Sequence, residues 1–171
     1  MVVQYIGVVK FDGSSWTVYN TQNSLLPTID VRAIACDKNN NVWFGTLLQG
    51  LVKFDGNNWT IYNPSNSGLT CENIWDIAIA ADGSIWFGAS TGTENVFYYT
   101  MLGCFDGTNW TDYNYDNSGI RGPILSLTID NNGIKWMGTM DGVISFDGLN
   151  TSIYNSWSGL GSSWVNTIAT D

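Results

Sequence analysis

The chain has 171 residues, enough for a buried core, with nineteen Gly, nine Trp, eight Tyr, seven Phe and only 12% charged residues. That turn-rich, aromatic-rich mixture fits an all-β architecture and argues against a helical one. A formal charge of −9, with six basic residues and no His, excludes nucleic acid and anionic membrane surfaces as partners, since both reward clustered cations.

The opening Met1-Val2-Val3-Gln4-Tyr5-Ile6 has neither a basic start nor a long apolar run, so no signal peptide is read there. No stretch reaches the roughly 20 apolar residues of a membrane span, and no membrane insertion is expected. The next segment, Gly7 to Asn20, reads Gly-Val-Val-Lys-Phe-Asp-Gly-Ser-Ser-Trp-Thr-Val-Tyr-Asn. It returns at Gly50 to Asn63, at Leu102 to Asn114, and in worn form at Gly142 to Asn155, where Thr151 replaces the Trp. Between these lies a second module: Val31 to Thr46 with Val42-Trp43-Phe44-Gly45, Ile74 to Ala89 with Ile85-Trp86-Phe87-Gly88, and Ile124 to Thr139 with Lys135-Trp136-Met137-Gly138. Val165 to Asp171 begins a fourth copy and stops before its Trp.

Each module predicts two strands around a tight turn, with Asp-Gly, Asn-Asn or Asn-Gly supplying the turn chemistry and the Asp-Gly pairs read as two-residue hairpin loops. Four strands per repeat follow, called A, B, C and D in chain order. The spacing of the marker phenylalanines, 43 residues from Phe11 to Phe54, 51 to Phe105 and 41 to Phe146, is that of a β-propeller blade. The expected fold is an all-β propeller of four blade equivalents, each of four antiparallel strands. The blades are residues 1–20 completed by 165–171, then 31–63, 74–114 and 124–155. Two closures are open: two chains forming one eight-bladed ring, with strand A of each completing the other's first blade, or a four-bladed single-chain ring. A homodimer is the expected state.

The run Phe-Asp-Gly-x-x-Trp-Thr-x-Tyr, then apolar-x-x-Ile-Ala-x-Asp, then Val-Trp-Phe-Gly-Thr resembles the two-component regulator propeller repeat. That resemblance implies a ring-shaped sensor region outside the cytoplasmic membrane, periplasmic or extracellular, that detects small ligands, often oligosaccharides, and signals to a kinase. The streptogramin lyase type of propeller has a similar Trp-Phe strand, but its chemistry depends on a His, and the chain has none.

Sixteen aromatics recur from blade to blade and are expected between blades. Eight do not recur: Tyr5, Trp75, Phe97, Tyr98, Tyr99, Tyr115, Trp157 and Trp164. All eight map to the B–C and D–A connections or the start of strand A, which emerge on one face of the ring. The B–C connection of the third blade is the longest, with nineteen residues from Trp86 to Phe105 against eleven from Trp43 to Phe54, and it adds Glu94 and Asn95. With Arg32 and Asp76 as further polar groups, this face suits a sugar, whose C–H faces are apolar and whose hydroxyls need hydrogen bonds. A protein partner is the competing reading, because Trp and Tyr also dominate interface hot spots. Asp76 and Glu94 are the one carboxylate pair on that face that a glycosidase reading has to use; no catalytic residue, cofactor or metal is expected. Asp12, Asp55, Asp106 and Asp147 read as turn formers, each lacking the oxygen cluster calcium needs. Cys36, Cys71 and Cys104 read as free thiols, Cys36 as a small buried apolar residue, with a Cys71–Cys104 bridge left open.

Overall fold

Alternating apolar residues on either side of fixed turns force the chain into hairpins, and the computed structural model shows how these stack. It describes residues 7–93 and 96–171, without the side chains of residues 93 and 96–98; Tyr5, Glu94 and Asn95 lie outside the described residues. Strands β1 (Val8–Phe11) and β2 (Trp16–Tyr19) form a two-stranded sheet. Strands β3 (Val31–Cys36), β4 (Val42–Thr46), β5 (Leu51–Phe54) and β6 (Trp59–Tyr62) form the second sheet in chain order. The third sheet holds β7 (Asn73–Ile79), β8 (Ile85–Thr93), β9 (Val96–Phe105) and β10 (Trp110–Tyr113). The fourth holds β11 (Ile124–Ile129), β12 (Lys135–Thr139), β13 (Gly142–Phe146) and β14 (Thr151–Tyr154). Every neighbouring pair within these sheets is antiparallel. The sheets are blades 1 to 4 of an all-β propeller, blade 1 showing strands C and D among the described residues.

The core lies in the joints. One apolar cluster, with Val8, Leu26, Phe44 and Val52, fills the joint of blades 1 and 2; a second, with Trp43, Leu51, Ile74 and Phe87, fills the joint of 2 and 3; a third, with Trp86, Leu102, Ile124 and Phe146, fills that of 3 and 4. The D–A connections between blades return buried side chains to the joints they cross: Leu26 in the first, Leu69 and Cys71 in the second, and Ile120 in the third. Asparagines hold these connections in shape. The Asn20, Asn63, Asn114 and Asn155 side chains each accept a backbone N–H two residues on, from Gln22, Ser65, Asp116 and Trp157. From Asn114 this becomes a short helix α1 (Tyr115–Ser118), and from Asn155 a single 3-10 turn at Ser156–Ser158.

The C–D turns differ from the expected two-residue loops. Four residues connect the paired ends, as Asp12 to Ser15 do between Phe11 and Trp16, and the Asp12 N–H donates to the Ser15 carbonyl at 3.2 Å. The Asp12 carboxylate accepts the Ser14 and Ser15 N–H groups, and Asp55, Asp106 and Asp147 repeat the arrangement. These hydrogen bonds hold the four carboxyls below the ordinary Asp value.

Three further expectations change at the ends of the array. Phe11 and Trp16, expected between blades, are 51% and 69% exposed, whereas the matching Phe105 is 8% exposed, because among the described residues no blade packs on the leading face of blade 1. Cys36, expected buried, is exposed. It lies two residues from Ile34, on a side that points back toward the preceding blade: Ile34 is 58% exposed, but Ile77 at the same repeat position is 7% exposed under blade 2. Residues 165–171 carry no strand. They still follow the path of an inner strand, with the Val165 N–H donating to the Thr139 carbonyl at 2.9 Å. The array is therefore open at both ends, and the single-chain four-bladed ring is not formed among the described residues. All three cysteines are free, so the Cys71–Cys104 bridge is absent.

Candidate functional site

An inner strand pairs on one side with its own blade, and it can turn a residue away from that ladder only by bulging. Each of the three inner strands does so once, at the loop-face end: between Val31 and Ala33, between Ile74 and Asp76, and between Ile124 and Ser126. The residues left out of register are Arg32, Trp75 and Leu125, one per blade at the same repeat position. Bulges of this kind re-aim side chains. Repetition of the three bulges gives a row of aligned side chains, two of which, Arg32 and Trp75, were expected on this face.

The row is tied together across the joint of blades 2 and 3. The Arg32 guanidinium forks onto Asp30, with Nε–Oδ1 at 2.7 Å and Nη2–Oδ2 at 3.2 Å, and lies 5.6 Å from the centre of the Trp75 ring. The Trp75 indole N–H donates to Ser90 Oγ at 2.8 Å. Asp30, Arg32, Trp75 and Ser90 thus form a continuous polar and aromatic band, with Arg32 exposed and Trp75 half-buried. Asn73, fully buried, braces it: its Oδ1 accepts the Leu48 N–H at 2.9 Å and its amide donates to the Gly92 carbonyl at 2.8 Å, fixing the blade 2 B–C loop to the blade 3 hairpin.

Asp76 is placed differently from its neighbours in this row. Its carboxylate accepts the Leu127 N–H of blade 4 at 2.7 Å and its own neighbour's N–H, from Ile77, at 2.9 Å. Burial pushes its carboxyl above the ordinary Asp value despite these donors. Ser126, at the same repeat position, accepts the Ile168 N–H at 3.2 Å, so the position joins one inner strand to the next.

The same β8–β9 hairpin carries a second feature. Tyr99, paired with Thr91, accepts through its hydroxyl oxygen from the Asn114 side-chain amide. Together with Thr100, Tyr115, Asp116 and Arg121 they line a cleft of about 210 Å³. That is below the roughly 300–1,000 Å³ of pockets that engulf drug-sized ligands. Trp157, 95% exposed, and Trp164 lie farther along the chain, Trp164 donating its indole N–H to Asn166 Oδ1 at 2.6 Å. The side chains of Phe97 and Tyr98 are outside the described set, as are Glu94 and Asn95. The sequence reading missed Asp30, Ser90, Asn114 and Arg121; the signal for Asn114 was present in the recurring Asn at 20, 63, 114 and 155.

Among the described residues no three of His, Cys, Asp or Glu are grouped to hold a metal ion, and no helix is long and apolar enough to cross a membrane.

No curated protein matches the chain. Among solved structures, it is similar to the extracellular domain of the hybrid two component system BT3049 from B. thetaiotaomicron, at 21% identity and TM-score 0.78, over 98% of this chain and 23% of that one. It is similar also to the extracellular domain of the one component system BT4673 from the same organism, at 18% identity and TM-score 0.70, again over 98% and 23%. Virginiamycin B lyase from Staphylococcus aureus is similar at 16% identity and TM-score 0.60, over 84% of this chain and 46% of that one. The chain spans under a quarter of the two sensor domains; at these identities the likeness is one of fold. Residues 25–47, which run from the blade 1–2 connection through strands A and B of blade 2, match the family model described as two component regulator propeller, and the chain thus carries that repeat on a β-propeller fold.

Proposed function

We propose that the chain is a non-catalytic recognition unit of an extracytoplasmic sensor propeller, and that it binds an oligosaccharide on the loop face. The observation that supports the reading most is the row of bulged residues, because three bulges at one repeat position aim Arg32, Trp75 and Leu125 away from the strand ladder at the same end. A half-buried indole flanked by a guanidinium and a serine offers a stacking face with donors and acceptors at its rim. The cleft lined by Tyr99 and Tyr115 offers a second place for a sugar ring on the loop face. The extracellular domains with which the fold is shared favour a location outside the cytoplasmic membrane.

The test is titration of the chain with glycans selected on an array. Saturable binding is expected, weakened about tenfold or more by Trp75→Ala and by Tyr99→Ala with melting temperatures little changed. Binding unaffected by both variants, or glycan turnover that Asp76→Asn abolishes, sinks the reading.

A further inference from the structure

The six basic side chains divide by type between the two faces of the array. The four lysines lie toward the short-turn face: Lys10 and Lys53 beside the C–D turns, Lys38 in the turn between β3 and β4, and Lys135 at the start of β12. Lys53 and Lys135 sit over the rings of Trp43 and Trp86. Both arginines, Arg32 and Arg121, lie on the loop face, and Arg32 is forked onto Asp30.

Arg121 has no such partner. It is exposed, and among the described residues no ion pair or hydrogen bond engages its guanidinium. Asp116, on the wall of the same cleft, and Asp141, whose carboxylate lies beside Gly122, are outside ion-pair distance of it. The repeat explains why. Thr70 follows the buried Leu69 as Arg121 follows the buried Ile120, and its hydroxyl donates across to the Asp112 carboxylate. In blade 4 the position of Asp112 is held by Ile153, so the joint offers Arg121 no acid.

The cleft that Arg121 borders is rich in unspent donors. Tyr99 accepts from the Asn114 amide and keeps its own O–H to donate, and Thr100 and Tyr115 add hydroxyls. The acceptor of Asn114 is already taken by the Asp116 and Asn117 N–H groups. A sugar hydroxyl both donates and accepts, whereas a carboxylate only accepts, and it takes a guanidinium fork through two parallel N–H···O bonds.

We infer that this cleft takes a sugar bearing a carboxylate, a uronic acid residue, with Arg121 forked onto the carboxylate and the rings of Tyr99 and Tyr115 beside the sugar. This rests on the loop-face glycan reading and adds the charge of the ligand to it. Asp116 opposes an anion there, but a charge held off the fork in an exposed cleft is screened by water and salt.

The probes are the trisaccharides of galacturonate and of glucuronate, each set against its own methyl ester, which keeps the sugar and removes the charge. In calorimetric titrations at least one acid is expected to bind about tenfold or more tightly than its ester. Arg121→Gln should bring that ratio close to one with the melting temperature retained. Arg121→Lys should restore only part of it, since an ammonium cannot fork, and Asp116→Asn should widen it. Acid and ester bound alike, or an acid preference that Arg121→Gln leaves intact, overturns the inference while the loop-face reading stands. Binding of neutral glycans alone does the same, whereas silence from every glycan tried takes down both.

Discussion

The Asp76 carboxylate accepts the Leu127 backbone N–H at 2.7 Å, across the joint of blades 3 and 4. Removing that acceptor leaves a donor on a buried strand, at a cost of about 1–3 kcal/mol. Asp76→Ala should therefore lower the midpoint of urea unfolding. Asp76→Ser should recover part of the loss, because Ser126 accepts the Ile168 N–H from the same repeat position.

Asp112 stands where Val18, Ile61 and Ile153 stand in the other blades. One of its carboxylate oxygens is buried without a hydrogen-bond partner, the other accepts from the Thr70 hydroxyl, and burial raises its pKa. A carboxyl whose folded pKa is raised favours the folded state when protonated and opposes it as pH rises through that value. Asp112→Ile should thus raise the melting temperature at neutral pH. The gain should shrink as pH falls through the raised folded value toward the ordinary Asp pKa, and thermal melts across pH measure it.

The turn and strand-end carboxylates work the other way. Asp37 and Asp130 accept the indole N–H of Trp43 and Trp136, each at 3.0 Å, and their pKa values are lowered, as are those of the four C–D turn aspartates. Their contribution is fully present above the unfolded Asp pKa and is lost as pH falls through the lowered folded values. Acid unfolding should set in below about pH 4, and Asp37→Asn should flatten that limb of the stability profile.

Cys36 is exposed, whereas burial pushes the Cys71 and Cys104 thiols up to about 11. A thiol-reactive dye at neutral pH should label one cysteine of the monomeric chain promptly, and Cys36→Ser should abolish the fast phase. The other two should react only in denaturant.

The repeat made the blades legible, because Phe-Asp-Gly and Trp-Phe-Gly recur at nearly constant spacing. The site was legible only in part. Trp75 and Arg32 could be assigned to the loop face from strand order, but their emergence depends on bulges, and a bulge leaves no mark in a run such as Val31-Arg32-Ala33. Asp76 was read as a ligand group because its strand starts on the loop face; its partner Leu127 is 51 positions away, and the donor there is a backbone N–H that every residue type but Pro carries. Phe11 and Trp16 were misplaced for a similar reason: the recurrence of a residue reports the joint it evolved for, not whether a neighbour is present at the end of the array.

Gly45, Gly88 and Gly138 act as spacers. A Cβ on any of them would lie 2.6–2.9 Å from the side chain of Ile74, Ile124 or Val165 on the next inner segment, so the absence of one carbon fixes how closely successive blades approach. Because that distance is set joint by joint, a blade is an interchangeable part. Duplicating residues 74–123 in tandem should lengthen the array by one unit without redesign of any joint, and the stability of such arrays should grow by a near-constant increment per added blade.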